Sequence, residues 1–348
     1  MPGCLCRPGS KGLSLPMHRG SSHPERFPSR ACEFRFRLSR CISQLLLGRY
    51  IHCETRYGQI VPALLLPLSR LLPKLILPKP AGPIIVPTLL GFDMLVEPLI
   101  GKGVEESIYY SGIYEAGTIS VLKQSLREGD VFIDVGANVG MMSLAASKFV
   151  GSRGQVYAFE PLAEALRILT TNLTINRVKN VLVVPEACGA RQELRTIYEQ
   201  QANRGCSSLL KPVDCVAEQK DIVVNRLDDF IEAEGIKKVK MVKIDVEGWE
   251  LEVLKGSRRL LSQPQSPIIC VEYSHSHRLY AGIQEDVYQF ICSSNNYKIF
   301  KLARGKEFIS CLEPVTGFAD LPRHDNLFCF LPSHLEEIHR RDDRALRI

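Results

Sequence analysis

The sequence predicts an α/β protein built on a seven-stranded, mostly parallel sheet that carries helices on both faces and ends in an antiparallel strand. From residue 131 onward, short apolar runs alternate with amphipathic segments of about ten to fifteen residues, the spacing of strand–helix–strand units. The runs are rich in Val and Ile, which indicates strands buried on both faces. No helix separates the last two strands, so the final strand is expected to be antiparallel.

The individual elements follow from these runs and from capping residues. Thr118 is the expected N-cap of a leading helix that stops before Gly129. Helices are expected at Thr118–Leu126, Met141–Val150, Leu162–Leu173, Glu250–Leu261 and Gln284–Ser293. Strands are expected at Val131–Val135, Gln155–Phe159, Val181–Val184, Met241–Ile244, Ile268–Tyr273, Tyr297–Leu302 and Asn326–Leu331.

Composition divides the chain into four parts. Residues 1–60 hold ten basic and three acidic residues and predict a disordered basic extension, with organelle targeting as an open alternative. Residues 61–117 form a proline-rich apolar lead-in with N-terminal strands, 118–332 the α/β domain, and 333–348 a charged tail. Prolines, Arg70 and Lys74 interrupt the lead-in, which argues against a bilayer span but leaves open a peripheral membrane contact of Leu64–Leu77.

Charge and cysteine content limit the function classes. Residues 1–60 carry a net charge of +7, whereas the whole chain carries +6. The remaining residues therefore carry a net charge of −1, which gives no electrostatic footprint for nucleic acid. The twelve cysteines contain no C-x-x-C pair, hence no zinc or redox spacing, and predict reduced thiols in a cytoplasmic setting. Nothing in the sequence indicates an oligomeric state.

The turn from Asp134 to Gly140, between a strand and a helix, is the strongest local motif. Gly136 and Gly140 permit a tight turn and a close approach of the backbone to a ligand at a helix N-terminus. Asn138 stands where a dinucleotide fingerprint has its second glycine, which weakens a pyrophosphate interpretation. Asp134 suits an ammonium group or a bridging water instead.

Glu160 ends the next strand, about 20 residues beyond the glycine turn. A carboxylate at that place accepts hydrogen bonds from both hydroxyls of a ribose. A glycine turn without phosphate chemistry, combined with a ribose-binding acid, favours S-adenosylmethionine over NAD as the cofactor. Two alternatives stay open: a nicotinamide-dependent oxidoreductase on the same fold, and a non-catalytic cofactor-binding interaction protein.

Further acids follow other predicted strands. Asp245 ends the fourth strand and Glu247 comes just after it, so both are candidates for activating an acceptor, with Asp245 first. Both also precede a helix, where negative charge is favourable without any catalytic role. Two carboxylates without a third ligand predict no metal site. Glu186 follows the third strand, where the adenine end of a cofactor would pass.

Several ordered motifs together resemble the FkbM family of S-adenosylmethionine-dependent methyltransferases. They extend over about Ile84 to Leu331 and comprise Tyr114-Glu115, Gly129-Asp130, Ile133 to Gly140, Ala158 to Pro161, Asn172, Asn176, Gly205 to Ser208, Arg226 to Asp229 and Lys243 to Gly248. The resemblance implies a Rossmann-like methyltransferase fold over residues 118–332, S-adenosylmethionine as cofactor, and O-methylation of a small molecule, sugar or other secondary metabolite. The Tyr114-Glu115 match also implies that Glu115 faces the amino-acid end of the cofactor, with the start of a helix as the alternative interpretation of this residue.

Overall fold

The computed structural model describes residues 30–43, 66–199, 207–210, 218–275 and 286–341. The helices are α1 (Arg30–Ser43), α2 (Leu66–Ile76), α3 (Val104–Ser111), α4 (Ala116–Ser125), α5 (Met141–Val150), α6 (Ala163–Ile175), α7 (Leu227–Ala233), α8 (Glu250–Lys255), α9 (Arg258–Leu261), α10 (Val287–Ser294) and α11 (Pro332–Arg341). The strands are β1 (Ile84–Pro87), β2 (Asp93–Val96), β3 (Val131–Val135), β4 (Gln155–Phe159), β5 (Val181–Val184), β6 (Ala187–Cys188), β7 (Glu193–Glu199), β8 (Glu218–Asn225), β9 (Met241–Ile244), β10 (Ile268–Ser274), β11 (Lys298–Leu302), β12 (Leu312–Pro314) and β13 (His324–Phe330).

The central sheet has eight strands in the order β12-β11-β13-β10-β9-β3-β4-β5. The pairs among β10, β9, β3, β4 and β5 are parallel, and β13 lies antiparallel between β10 and β11. The predicted α/β class, with a mostly parallel sheet and an antiparallel last strand, is confirmed. The predicted count of seven strands is wrong by one, because the three-residue strand β12 pairs with β11 at the sheet edge. A run that short carries no periodic signal.

Side chains of the central strands point alternately into two apolar cores. Phe132 packs in the core that also receives residues of α4, α5 and α6. Ile133, the next residue, packs in the opposite core with residues of α8 and α10. Because both faces of the sheet are covered, polar side chains collect at the carboxyl ends of the strands, where a parallel sheet opens its ligand crevice.

Two asparagines of the resemblance motif, Asn172 and Asn176, are structural. The Asn172 side chain accepts a hydrogen bond from the Leu95 amide (2.7 Å) and donates to the Val139 carbonyl (2.9 Å). The Asn176 side chain accepts from the Asp93 amide at 2.9 Å. These hydrogen bonds attach strand β2 of the β1–β2 hairpin to α6, and α6 to the glycine turn. A second small sheet, in the order β6-β8-β7, follows β5.

Helix α1 lies within the segment that the sequence predicts to be disordered, and there the prediction is wrong. Its buried residues Phe36, Ser39 and Arg40 share one side of the helix, which packs against α3. Only Phe36 among them is apolar, so no hydrophobic periodicity marks this helix in the Arg-rich sequence. The rest of residues 1–60, and the part of the lead-in up to residue 65, lie outside the described residues. Among the helices of the described residues, none is long and apolar enough to cross a membrane.

Other expected elements differ in detail. Helix α4 begins at Ala116 and not at Thr118, whose hydroxyl accepts a hydrogen bond from Asn326 at 2.9 Å and does not cap the helix. The helix expected at Glu250–Leu261 is divided into α8 and α9 at Gly256, which packs against the backbone of Gly189. The start of the predicted charged tail is helical, as α11. Gly205, of the resemblance motifs, and Gln284, the expected start of α10, lie outside the described residues.

Candidate active site

A crevice runs along the carboxyl ends of the central strands. It is lined by Gly136, Asn138, Glu160, Glu186, Asp245 and Glu247. These predicted site residues come from different strands, and the parallel sheet brings them together because its strands end at one edge. Three other predicted site residues, Asp134, Gly140 and Glu115, are not part of the lining.

The glycine turn forms the floor of the crevice. Gly136 has a φ of 86°, and a Cβ there would overlap the backbone carbonyl of Asp245. Only glycine therefore allows the turn after β3 to approach the backbone directly after β9 this closely. Asn138 has a φ of 49°, and its amide donates to Glu160 at 2.9 Å. The turn is thus tied to the end of the neighbouring strand.

Glu160 is nearly buried and each of its carboxylate oxygens accepts a backbone amide, from Asn138 at 2.9 Å and from Leu162 at 3.0 Å. Burial raises the pKa of Glu160 to about 7, although the two amides favour the charged form. A carboxylate has about four acceptor sites. Two of them are filled here, so the remaining ones are available to hydroxyl groups in the crevice.

Asp134 lies beneath the crevice. It is fully buried, one carboxylate oxygen accepts the Ser143 hydroxyl at 2.6 Å, and the other has no hydrogen-bond partner among the described residues. Burial raises the pKa of Asp134. Gly140, with a φ of 91°, caps α5 and packs on Leu169. Asp134 and Gly140 therefore support the glycine turn through contacts with α5 and α6, and neither lines the crevice.

Glu115 holds a buried lysine. It is fully buried, with one oxygen 3.0 Å from Lys306 Nζ and the other accepting from Asn326 at 3.0 Å. Lys306 also donates to Glu272 at 2.6 Å. Burial alone would lower the pKa of Lys306, but the carboxylates around it, with Glu115 first, raise it above its usual value. Lys306 is therefore a permanent cation behind the crevice.

A second buried lysine, Lys243, lies on β9 opposite Asp134 in the sheet. Its Nζ donates to Asp245 at 2.7 Å. Burial disfavours the charged form of Asp245, but Lys243 and then Lys306 outweigh it and lower the pKa to about 2. Asp245 therefore remains ionised throughout the physiological pH range.

Glu247 has the opposite electrostatic environment. Burial first, and then the negative charges of Asp245 and Glu250, raise its pKa to about 8. Glu250 shapes the turn that carries it, since one of its oxygens accepts the amides of Val246 (3.1 Å) and Gly248 (3.0 Å). Burial raises the pKa of Glu250 as well, to about 7. Neighbouring acids thus differ strongly in proton affinity.

A second cavity adjoins the crevice. Val104, Tyr114 and Glu247 line both spaces, so they form the boundary between them. The outer walls of the second cavity come from α3 and from the loop at residues 304–308. Glu247 is the carboxyl group at this boundary.

Asp245, Glu247 and Glu272 offer carboxylate oxygens that all lie within 4.8 Å of one another. Glu272 supplies the third acid that the sequence did not identify, because only the fold brings the end of β10 beside the end of β9. Lys243 and Lys306 donate to Asp245 and Glu272, respectively, within this cluster. The two ammonium groups already compensate part of the charge that a cation would otherwise balance.

Sequence reasoning assigned no role to Lys243 or Lys306. A signal for Lys243 was present, since it is the one charged residue of the apolar strand Met241–Ile244. No sequence signal marked Lys306, because it lies in a loop without a recognisable motif. Its partners Glu115 and Glu272 lie in other parts of the chain, with even the nearer one, Glu272, 34 residues away in sequence.

Part of the chain matches a known protein family. Residues 134–299 match the family model described as the methyltransferase FkbM domain. The chain is 27% identical over 199 residues to hexuronic acid methyltransferase AglP of Haloferax volcanii, covering 56% of this chain and 75% of that protein. It is 32% identical over 161 residues to 31-O-demethyl-FK506 methyltransferase FkbM of Streptomyces tacrolimicus, covering 38% of this chain and 60% of that protein.

Among solved structures, Aeropyrum pernix fibrillarin in complex with S-adenosyl-L-methionine aligns at 13% identity with a TM-score of 0.36, covering 72% of this chain and 94% of that one. The assignment rests on the family model and the sequence relatives, which confirm the family predicted from the motifs. Residues 134–299 form a methyltransferase domain of the FkbM family, and the chain is an S-adenosylmethionine-dependent methyltransferase.

Proposed function

We propose that this enzyme transfers the methyl group to a hydroxyl oxygen of a small-molecule or glycan acceptor. The observation that carries the proposal is the position of Glu247, a carboxyl group at the boundary between the cofactor crevice and the second cavity. The names of the relatives agree with it, since one is a hexuronic acid methyltransferase and another a 31-O-demethyl-FK506 methyltransferase.

The crevice residues fit S-adenosylmethionine. Glu160, tied to Asn138, offers its free acceptor sites to the ribose hydroxyls, and Gly136 allows a close approach of the backbone. Glu186, which accepts from Asn225 at 2.5 Å, lies at the end of the crevice expected for adenine. When bound, the cofactor supplies an electrophilic methyl group on a sulfonium. Neither Glu160 nor the turn offers the cationic or repeated glycine contacts that a diphosphate needs.

Acceptor activation falls to Glu247 and not to Asp245, the first choice from sequence. Asp245 is ionised and held by Lys243, and with a pKa of about 2 it is a weak base. Glu247, with a pKa of about 8, matches a proton-transfer role near neutral pH. Positioning the acceptor contributes most, about 7–11 kcal/mol, whereas a positioned base typically contributes about 10² to 10⁴-fold. We assign Asp245 to orienting the acceptor.

Replacing Glu247 tests this assignment. The acceptor is first identified by incubating enzyme and S-adenosylmethionine with uronic-acid glycans and metabolite fractions, with S-adenosylhomocysteine and the gain of one CH₂ as readouts. We then expect Glu247→Gln to lower kcat by about 10² to 10⁴-fold with little effect on cofactor affinity. For the wild type, kcat/KM rises about tenfold per pH unit and levels off above about pH 8, because the base must be ionised.

Glu252→Gln, on the helix that follows the Glu247 turn and outside the crevice, is the matched control and keeps the wild-type rate. A Glu247→Gln enzyme with normal kcat and an unchanged pH profile would show that Glu247 is not the base. Loss of S-adenosylhomocysteine production with every acceptor, despite cofactor binding, would favour a non-catalytic role. A nicotinamide-dependent reaction no longer applies, given the methyltransferase domain.

We also propose a reducing compartment such as the cytoplasm for this enzyme. Cys188, Cys270 and Cys329 are buried free thiols, and burial raises the pKa of each of them, so they behave as small apolar core residues. The second cavity mixes basic and acidic side chains. This supports the expectation that the acceptor is not a nucleic acid.

A further inference from the structure

We propose that α1 and α2 form a docking surface for an anionic phospholipid bilayer. This docking face is defined by Phe34, Arg35 and Leu38 on α1 and by Leu71, Leu75 and Lys79 on and just after α2. The two helices pack against each other, and both pack against α3. The face is separate from the cofactor crevice, and its existence does not depend on the acceptor proposed above.

Large apolar side chains are exposed on both helices at helical spacing. Phe34 and Leu38 are 66% and 41% exposed, and Leu71 and Leu75 are 54% and 73% exposed. Residues four apart lie on the same side of a helix, so each pair forms a short stripe. The opposite side of α1, with Phe36, is buried in the protein. Single exposed apolar residues are ordinary, but paired stripes on adjacent helices indicate an interaction surface.

Basic side chains accompany the apolar stripes. The exposed basic side chains on and beside these helices include Arg35, Arg37, Lys74 and Lys79. Two of them are paired with acids, Arg37 with Glu33 and Lys74 with Glu106 of α3. Arg35 and Lys79 form no ion pair within the described part of the chain. Exposed apolar residues flanked by Lys and Arg are typical of helices that lie at a membrane interface and attract anionic lipid. Dimerisation through this face would bring the basic residues of two copies together, and the repulsion between them disfavours a second copy as the partner.

The docking face adjoins the second cavity. Lys74 of α2 and Lys102 line that cavity, and Lys102 follows two exposed apolar residues, Leu99 and Ile100. Binding to a bilayer through this face would therefore turn the mouth of the second cavity toward the lipid surface. This consequence rests on the proposed function, because it treats the second cavity as the acceptor side.

Vesicle co-sedimentation of the full chain tests the proposal. We expect binding to phosphatidylcholine vesicles that contain phosphatidylserine, weak binding to phosphatidylcholine alone, and a loss of binding on adding salt. Leu71→Glu/Leu75→Glu should weaken binding about tenfold or more, since it removes apolar insertion and adds negative charge. Arg35→Gln/Lys79→Gln should weaken it about fivefold per charge.

Two controls match these variants elsewhere on the surface. Leu194→Glu changes a leucine of β7 that is 77% exposed, and Lys237→Gln/Lys238→Gln removes two exposed charges after α7. Both should bind vesicles as the wild type does. The proposal is overturned by absence of vesicle binding, by equal binding to neutral vesicles, or by equal losses in the controls. A lipid-free dimer that Leu71→Glu/Leu75→Glu dissociates would assign the face to a second copy instead.

Calorimetric titration of S-adenosylmethionine into the same variants separates this proposal from the proposed function. The docking-face residues do not line the crevice, so cofactor affinity should be unchanged in all of them. Normal cofactor binding without vesicle binding would overturn the docking face alone. Vesicle binding by a protein that never methylates a hydroxyl would overturn only the proposed function.

Discussion

Glu160 and Glu247 are the same residue type in two different surroundings, which support two different proposed roles. Burial raises the pKa of both. Glu160 has two backbone amides directed at it, which fix its carboxylate as an acceptor. Glu247 has acids as neighbours, and these increase its affinity for a proton. These surroundings are the reason for proposing Glu160 as a binding group and Glu247 as a base.

Glu160→Gln should weaken S-adenosylmethionine binding by about ten- to a hundredfold, because hydrogen bonds to a charged acceptor contribute about 1.5–3 kcal/mol. Wild-type affinity should also fall as the pH drops below about 7, where the carboxyl becomes protonated and loses acceptor capacity. Isothermal titration calorimetry measures both effects. The control Glu164→Gln, on the exposed side of α6, should bind normally. Equal affinity of Glu160→Gln and wild type would remove Glu160 from the ribose site.

The acidic cluster of Asp245, Glu247 and Glu272 leads to a prediction about metals. Because Lys243 and Lys306 already donate to two of the three carboxylates, we expect methyl transfer without a divalent cation. The rate should be the same before and after treatment with EDTA and after addition of Mg²⁺. A loss on chelation that Mg²⁺ restores would show that the three acids hold a metal.

At the scale of elements, α1 binds the end of α3 chiefly through the Arg40 side chain. The Arg40 guanidinium donates to the carbonyls of Ile108, Tyr109 and Tyr110 at 2.7–3.0 Å, and to Pro87 at 2.9 Å. These carbonyls include groups at the C-terminal end of α3 that have no partner within the helix. Burial lowers the pKa of Arg40 to about 9, so the residue is still charged at neutral pH.

Arg40→Met should lower the free energy of unfolding by about 3 kcal/mol, since it removes the four hydrogen bonds that the buried guanidinium donates. Urea denaturation followed by circular dichroism measures the change. Arg37→Met, on the exposed side of the same helix, should change stability by less than about 0.5 kcal/mol. Equal midpoints for the two variants would mean that α1 does not stabilise the domain through Arg40.

For the whole molecule, the main electrostatic feature is the collection of acids at one sheet edge. The raised pKa values of Glu160, Glu247 and Glu250 mean that the folded protein keeps protons that the unfolded chain releases above about pH 4.5. Asp245 has a lowered pKa of about 2, so its contribution is lost only in strong acid. Between pH 5 and 8 the raised groups therefore dominate.

Stability of the cofactor-free protein should fall as the pH rises from about 5 to 8, by about 1 kcal/mol per pH unit or more. The stabilisation is complete below the unfolded pKa and is lost as the pH passes the folded values near 7 and 8. Urea midpoints at several pH values give the slope. Glu160→Gln/Glu250→Gln should flatten it. A midpoint that rises over this range would contradict the assigned pKa directions.

The sequence by itself determined the α/β class, most strands, the glycine turn and Glu160. These features depend on local signals, such as continuous Val and Ile runs, glycines at a turn and an acid directly after a strand. Helix α1 was missed because four buried residues among many arginines give a weak pattern. Strand β12 was missed because three residues have no period.

Only the tertiary structure decided the electrostatics of the site. Lys306, Glu115 and Glu272 come from distant parts of the chain, and their contacts exist only after the sheet has formed. The choice of Glu247 over Asp245 as base depends on which acid lies beside a lysine, and a pKa responds to charges a few ångströms away in space. Residue identity is local in the sequence, whereas the charge around a residue is set by packing.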